Sequence, residues 1–284
     1  MHPTPDAVSI VFVSWNRRYI INHVLQSILR NNFPFELIII DNGSSDGTKE
    51  YLLEHEDEID KLILNNENKG VPSELNRAIQ LSTCPYISIQ ADDHVLHPNW
   101  LETMYRSMQI IEKSIPNLGY LSSILHYAIP NKLYKTPMTY EQWMDAQVKI
   151  DRWNGTPESR SCKPPVKYSQ DVSFLPAGSV GNGGTIYNRA LFKKVGLFRT
   201  TYGLRGVYDG EFKLRCHSAY RLEVGYVPET AFIHVKEIVT NPERYKDGVK
   251  SIHEQWKLNQ CVLNQRENVE AAKRGVPPPT APRL

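Results

Sequence analysis

Residues 87–100 read ISIQADDHVLHPNW, an apolar run that stops at two adjacent carboxylates, Asp92 and Asp93, followed by His94. Two like charges side by side repel and are costly to strip of water, so a fold gains little stability by placing them at the end of a buried strand. A positive partner is expected there. Carboxylate oxygens are natural ligands for Mg2+ or Mn2+, ions that commonly bridge the phosphates of a nucleotide substrate. A solvated turn after an edge strand is the competing reading. Ser14, Trp15 and Asn16 follow the apolar run VSIVFV, and Asp41 ends the run ELIIID. Asp41 could accept a hydrogen bond from a base N–H, or stabilise a turn, as Asp46 is expected to do ahead of a helix near Thr48.

The elements that position these residues follow from hydrophobic spacing. Residues 8–13 form an apolar run of strand length, and 19–30, YIINHVLQSILR, place apolar side chains at helical intervals. The unit repeats: ELIIID, the turn cluster NGSSDGT, a helix over TKEYLLEHE, then KLILNNENKG, a helix near 72–82, and YISIQ. Strands that read as continuous apolar runs, alternating with helices, predict an α/β fold with a mostly parallel sheet flanked by helices. Ligands bind such sheets outside the carboxyl ends of the strands, where Ser14, Asp41, Asp92 and Asp93 should gather. His97 and Pro98 are expected to open a helix that begins at Trp100.

The 284 residues, 40% hydrophobic and 23% charged, suit a globular protein, and 33 basic against 31 acidic side chains give no global case for a nucleic-acid or membrane partner. No basic stretch leads into a long apolar one at the start, and nowhere do about 18 apolar residues run together, so a cytoplasmic protein without a membrane span is expected. Cys84, Cys162, Cys216 and Cys261 are scattered and read as free, mostly buried thiols. Residues 130–180 read as an excursion from the sheet with a helix near 135–153, followed by a Pro-rich polar run. Tyr140, Trp143 and Trp153 on or beside that helix could stack on a sugar or belong to a core. Residues 251–275 read as a helix that could support a dimer, and GVPPPTAPRL (275–284) as a flexible Pro-rich tail. No oligomeric state follows from the sequence.

Taken in order, VSIVFVSWN, IIIDNGSSDGT, NENKGVPSELNRAI and YISIQADDHVLHPNWL resemble the family 2 glycosyltransferases of GT-A fold, and GGTIYNRALFKKVGLF through AFIHV (183–235) is similar to their C-terminal half. The resemblance implies a Rossmann-like donor-binding half over 1–101 and an acceptor-binding, catalytic half over 102–240, with 241–284 as C-terminal helix and tail. It implies that Asp41 reads the nucleobase, that Ser14 and Trp15 pack beside it, and that Asn16, Asn68, Gly70, Asn76 and Asp92 lie on the donor-nucleotide side. The metal motif falls on Ala91, Asp92 and Asp93, giving Asp93 as the leading ligand, Asp92 as a helper and His234 as a third, with Ala91 where an acid is usual. YDGEFKLR places Asp209 at the catalytic-base position and Tyr208 where a Glu is usual; Asp209 as a helix N-cap is the alternative. Gly183 and Gly184 are assigned to the acceptor or diphosphate region, with plain turn chemistry as the other reading.

The activity implied is Mn2+- or Mg2+-dependent transfer, with inversion, of a sugar from a nucleoside diphosphate donor, UDP favoured, to a glycan or other hydroxyl acceptor. A nucleotidyltransferase would carry a Gly-rich basic loop where this chain reads SWNRRYI. An inactive nucleotide- or sugar-binding module is the remaining rival. Arg199, Arg205, Lys213, Arg215 and Arg221 make the second block basic, which reads as solvated surface rather than as a DNA-binding face, so a nucleic-acid acceptor is kept but not favoured.

Overall fold

A computed structural model describes residues 7–128, 165–177, 180, 183–202, 208–235 and 264–284. The first half alternates strictly: β1 (Val8–Ser14), α1 (Ile21–Leu29), β2 (Phe35–Asp41), α2 (Thr48–Glu54), β3 (Lys61–Leu64), α3 (Val71–Leu81) and β4 (Tyr86–Ile89). These strands pair in parallel in the order β3–β2–β1–β4. β1 and β2 read as continuous apolar runs because both of their faces are covered. Val8, Ile10, Phe12, Leu37 and Ile39 face one core with α1, while Val11, Val13, Ile38 and Ile40 face another with α3. α1 is helical for the matching reason: Ile21, Val24, Leu25 and Ile28 recur on one face, and all four are fully buried.

Beyond β4 the sheet becomes mixed. β5 (His94–Leu96) leads to α4 (Trp100–Ser114) and β6 (Leu118–Ala128); β7 (Val166–Ser169) and β8 (Val172–Ala177) form a hairpin; β9 (Thr185–Asn188) precedes α5 (Ala190–Val195). α6 (Tyr208–Leu214) continues into a π-helical turn, Arg215–Ala219, and β10 (Glu223–Val235) closes the sheet. A last helix, α7, covers residues 264–273. The full order is β3–β2–β1–β4–β9–β6–β10–β8–β7, with β5 pairing β10 off this path. β9 runs antiparallel between β4 and β6 and so joins the two halves into one sheet. α4 packs its apolar face, Trp100, Met104, Met108 and Ile111, into the α1-side core, and the Trp100 indole N–H donates to Ser123 Oγ at 2.7 Å.

Three sequence expectations change. The excursion over 130–180 ends in the β7–β8 hairpin, which adds to the edge at β10, because VKYS and VSFLPA carry strand-compatible patterns the Pro-rich run had obscured. Residues 129–164, with Tyr140, Trp143 and Trp153, lie outside the described residues, as do Cys162 and Cys261; Cys84 and Cys216 are free and buried. The segment 275–284 is docked rather than loose: the Leu197 N–H donates to Pro282 O at 2.8 Å, and Ala281 is buried. Arg199 and Arg215 belong to the interior and not to a solvated basic face, since both are essentially without exposure and both are ion-paired to Glu211.

One side chain ties the halves together locally. Asn76 on α3 donates from Nδ2 to Phe198 O at 2.7 Å and accepts the Phe198 N–H at 3.0 Å on Oδ1, all of it buried. Asn76→Ala would strand both backbone groups, each worth about 1–3 kcal/mol when buried without a partner, and urea unfolding should show a loss on the order of 3 kcal/mol.

Candidate functional site

The carboxyl edge of the parallel strands carries the polar residues. Ser14 and Asp41 end β1 and β2 as register partners, so their side chains emerge side by side. Both residues are fully buried, and Ser14 Oγ and Asp41 Oδ2 have no hydrogen-bond partner among the described residues. Asp41 Oδ1 accepts the Ser44 N–H at 3.0 Å, so half of the carboxylate serves the turn and half is unspent. A buried carboxylate oxygen without a donor is costly, and it leaves at this edge an acceptor that a ligand N–H could satisfy.

The neighbouring loops are held by their own polar groups. Asn16 sits at φ 53°, a left-handed conformation Asn tolerates; its N–H donates to Ser44 Oγ at 2.9 Å and its Oδ1 accepts the Ser45 N–H at 2.9 Å. Asp46 accepts from the Thr48 N–H at 3.1 Å, the expected helix-entry role, and from the Arg18 N–H at 3.0 Å. Asn68 Oδ1 accepts from Asn42 Nδ2 and from the Gly70 N–H, both at 2.9 Å, and Gly70 (φ 90°) caps α3. Asn16, Asn68 and Gly70 thus lie in the loops that follow β1 and β3, at the carboxyl edge of the parallel strands. Asn76 lies on α3 with both ends of its amide engaged by Phe198.

The acidic pair shares Arg17 and differs in its remaining partners. Asp92 accepts the Trp15 N–H at 3.0 Å on one oxygen and Arg17 Nε at 3.1 Å on the other. Burial pushes the Asp92 carboxyl up, to about 6, against the opposing pull of Arg17. Asp93 faces Arg17 Nη2 at 3.6 Å, His94 Nε2 at 3.7 Å and His234 Nε2 at 3.4 Å. Burial would raise Asp93 too, but the facing His234, His94 and Arg17 hold it down, at about 2. Arg17, itself buried, was not singled out in the sequence; its signal was its place three residues beyond Ser14, within reach of the same rim.

Asp93, His94 and His234 present ligand atoms all within 4.8 Å of one another, the one such group found among the described residues. Strand pairing brings them together: His94 and His234 are register partners in the antiparallel β5–β10 ladder, and the Val235 N–H donates to Asp93 O at 2.9 Å. His94 Nδ1 accepts the Ala91 N–H at 3.2 Å, which places the ring proton on Nε2, facing Asp93. Burial lowers the His94 pKa to about 3, so the ring is neutral. In that tautomer His94 turns its Nε2–H toward Asp93 at 3.7 Å, while Asp93 and His234 could offer a metal ion one carboxylate oxygen and one imidazole nitrogen, a mixed set better suited to Mn2+ than to the oxygen-preferring Mg2+.

Gly183 lies against this cluster, and Gly184 against Phe232. A Cβ on Gly183 would stand 1.6 Å from His94 Cε1, and one on Gly184 2.2 Å from Phe232. Asp209 stands in the first turn of α6 with its carboxylate 38% exposed and Lys213 Nζ 3.3 Å from Oδ2. Tyr208 packs edge-on against Phe198, ring centroids 5.5 Å apart.

A parallel β3–β2–β1–β4 set feeding a mixed sheet, with an acidic, histidine-bearing carboxyl edge, is an α/β arrangement of GT-A type. S. aureus TarS (residues 1–349, solved with UDP) shares it: TM-score 0.55 at 15% identity, covering 84% of this chain and 62% of that one. The family model for glycosyl transferase family 2 matches residues 9–196, and the chain belongs to that family. Among curated relatives, the Escherichia coli UDP-Glc:alpha-D-GlcNAc-diphosphoundecaprenol beta-1,3-glucosyltransferase WfgD is 30% identical over 102 residues, 36% of this chain and 40% of that protein. The putative glycosyltransferase EpsE of Bacillus subtilis is 34% identical over 100 residues, 34% and 36% of the two chains. The matched part therefore spans about two fifths of these relatives' length.

The two glycines on either side of Asp209 and His94 make opposite predictions. Gly183→Ala must displace His94 and should cost about 1–3 kcal/mol in urea unfolding. Gly210→Ala, where a Cβ meets nothing within 4 Å on helix α6, should be neutral or stabilising by up to about 1 kcal/mol.

Proposed function

We propose that this chain is a metal-dependent, inverting glycosyltransferase that moves a sugar from a UDP-sugar to an acceptor hydroxyl. The observation that carries the reading is the pair of unspent buried atoms, Ser14 Oγ and Asp41 Oδ2, on the same strand edge as the Asp93–His234 pair. Uracil offers an N–H between two carbonyls, which matches a carboxylate oxygen beside a hydroxyl donor; cytosine lacks that N–H. TarS has been solved with UDP and with UDP-GlcNAc, and the name of the E. coli relative gives UDP-Glc as its donor, which supports the choice.

Asp93 and His234 would hold a Mn2+ or Mg2+ ion, which supplies positive charge to a departing diphosphate. His94 faces Asp93 with its Nε2–H at 3.7 Å. Arg17 and the Trp15 N–H engage both oxygens of Asp92, which leaves that residue to shape the ribose side of the pocket rather than to lead as a ligand. Asp209, with Oδ2 taken by Lys213, offers Oδ1 to accept the acceptor's proton as its oxygen attacks the anomeric carbon from the face opposite the leaving group. A glycan acceptor fits the E. coli relative, whose name describes a sugar-bearing diphosphoundecaprenol. A DNA acceptor loses support because Arg199 and Arg215 are buried and paired. No helix among the described residues is long and apolar enough to cross a membrane.

Two measurements test the reading. A thermal-shift series with UDP, GDP, dTDP and CDP, each with and without Mn2+, should show a metal-dependent rise for UDP, about 2.7 kcal/mol at 100 times its Kd, that Asp93→Ala abolishes. No shift with any nucleotide would sink the donor site. Asp209→Asn should leave the UDP shift intact while lowering transfer by about 10²–10⁴-fold; unchanged transfer would remove Asp209 as the base.

A further inference from the structure

Behind α6 lies a charge cluster outside the donor site. Glu211 is fully buried and bonds Arg199 Nη1 through Oε1 and Arg215 Nη2, at 2.8 Å, through Oε2. Arg215 also donates to the carbonyls of Val195 and Leu197, at 2.8 and 2.9 Å. Two guanidiniums against one carboxylate leave a net positive charge in the interior, a costly arrangement unless another anion completes it.

That anion comes from α7. Glu267 Oε2 accepts from Arg199 Nη2 at 2.8 Å, and Asn268, on the next turn position, accepts from Arg199 Nη2 at 2.9 Å and donates to Glu211 Oε1 at 2.9 Å. Thr280 closes the arrangement: its N–H donates to Glu267 Oε1 at 2.9 Å, and its hydroxyl oxygen accepts from Arg199 Nε at 3.0 Å. Farther along, Pro282 O holds the Leu197 N–H, and Arg283 O accepts from Gln80 Nε2 of α3 at 3.3 Å. The segment therefore crosses α3, the 196–199 stretch and α6.

α6 is only seven residues long and runs into a π-helical turn, so it has little rigidity of its own. Glu211 stands two residues from Asp209. We infer that residues 264–284 act as a strap that fixes α6, and that Glu267 is the positioning residue through which the strap sets the orientation of Tyr208 and Asp209. The inference rests on the reading of Asp209 as the base, but the strap itself is testable without it.

The test uses the full chain with Glu267→Gln, and Thr280→Val as a second, milder variant. Hydrogen exchange of the amides in 208–219 should speed up by about tenfold or more in Glu267→Gln, with a smaller rise in Thr280→Val, while the β1–β4 amides keep their wild-type rates. With UDP-glucose or UDP-GlcNAc as donor, kcat for UDP release should fall by about tenfold or more with the donor KM within about twofold, and Glu267→Asp should restore part of the loss. Wild-type exchange in 208–219 for both variants would overturn the strap, as would a rise spread evenly over the whole chain. If the wild-type chain fails to bind UDP, the donor reading falls and the exchange arm alone decides the strap.

Discussion

Two neighbouring carboxylates at the end of a buried strand cannot share one environment, and the site is arranged around that constraint. Asp92 is turned toward Arg17 and the Trp15 N–H, both on the loop after β1, while Asp93 is turned toward His94 and His234. Arg17 reaches both carboxylates, through Nε to Asp92 and through Nη2 to Asp93, and the two imidazoles are further neighbours of Asp93. Because Arg17 is also anchored by its backbone N–H on Thr48 Oγ1, at 2.8 Å, the same interaction fixes the β1–α1 loop to the start of α2. The loop after β1 and the acidic edge are in this way held by a single residue, Arg17.

His234 lies 141 positions after Asp93 and reaches it through the pairing of β10 with β5. A register shift between Val227 and Ala231 separates the part of β10 that pairs with β8 from the part that pairs with β5. Such an irregularity re-aims a strand's side chains without breaking its parallel pairing to β6. The ladder then sets His234 opposite His94, and Gly183 supplies the space the His94 ring needs. Nothing in the local pattern of ETAFIHV requires this; the geometry belongs to the sheet.

The first half, β1 to β4, was legible because its information is local. Strands covered on both faces read as unbroken apolar runs, and the residue after each run falls on the ligand-binding edge, so Ser14, Asp41 and Asp93 could be placed without knowing any long-range contact. Arg17 escaped notice because an arginine in a loop looks solvated until its partner, 75 positions away, is known. Arg199 and Arg215 misled for the same reason: their burial depends on Glu211 and on Glu267 and Asn268 from α7, and charge counts along the sequence carry no sign of that. The Pro-rich end reads as loose by composition, but its backbone carbonyls are what the 197 stretch and α3 bond to.

The two departures from the family pattern, Ala91 and Tyr208, each have a positional consequence. Residue 91 acts through its backbone: its N–H fixes the His94 tautomer, a contact any non-proline residue can make, and an alanine there avoids adding a third carboxylate to a pocket whose two acids already require Arg17. Tyr208 sets its ring edge-on against Phe198, the residue whose backbone Asn76 grips from α3. A glutamate at 208 would bring no such aromatic contact. The start of α6 is therefore tied to α3 through Tyr208, Phe198 and Asn76 on one side, and to α7 through Glu211 and Arg199 on the other. Replacing an acid with an aromatic ring at this point exchanges charge for packing, and places Asp209 between two anchored contacts on a helix too short to hold its own direction.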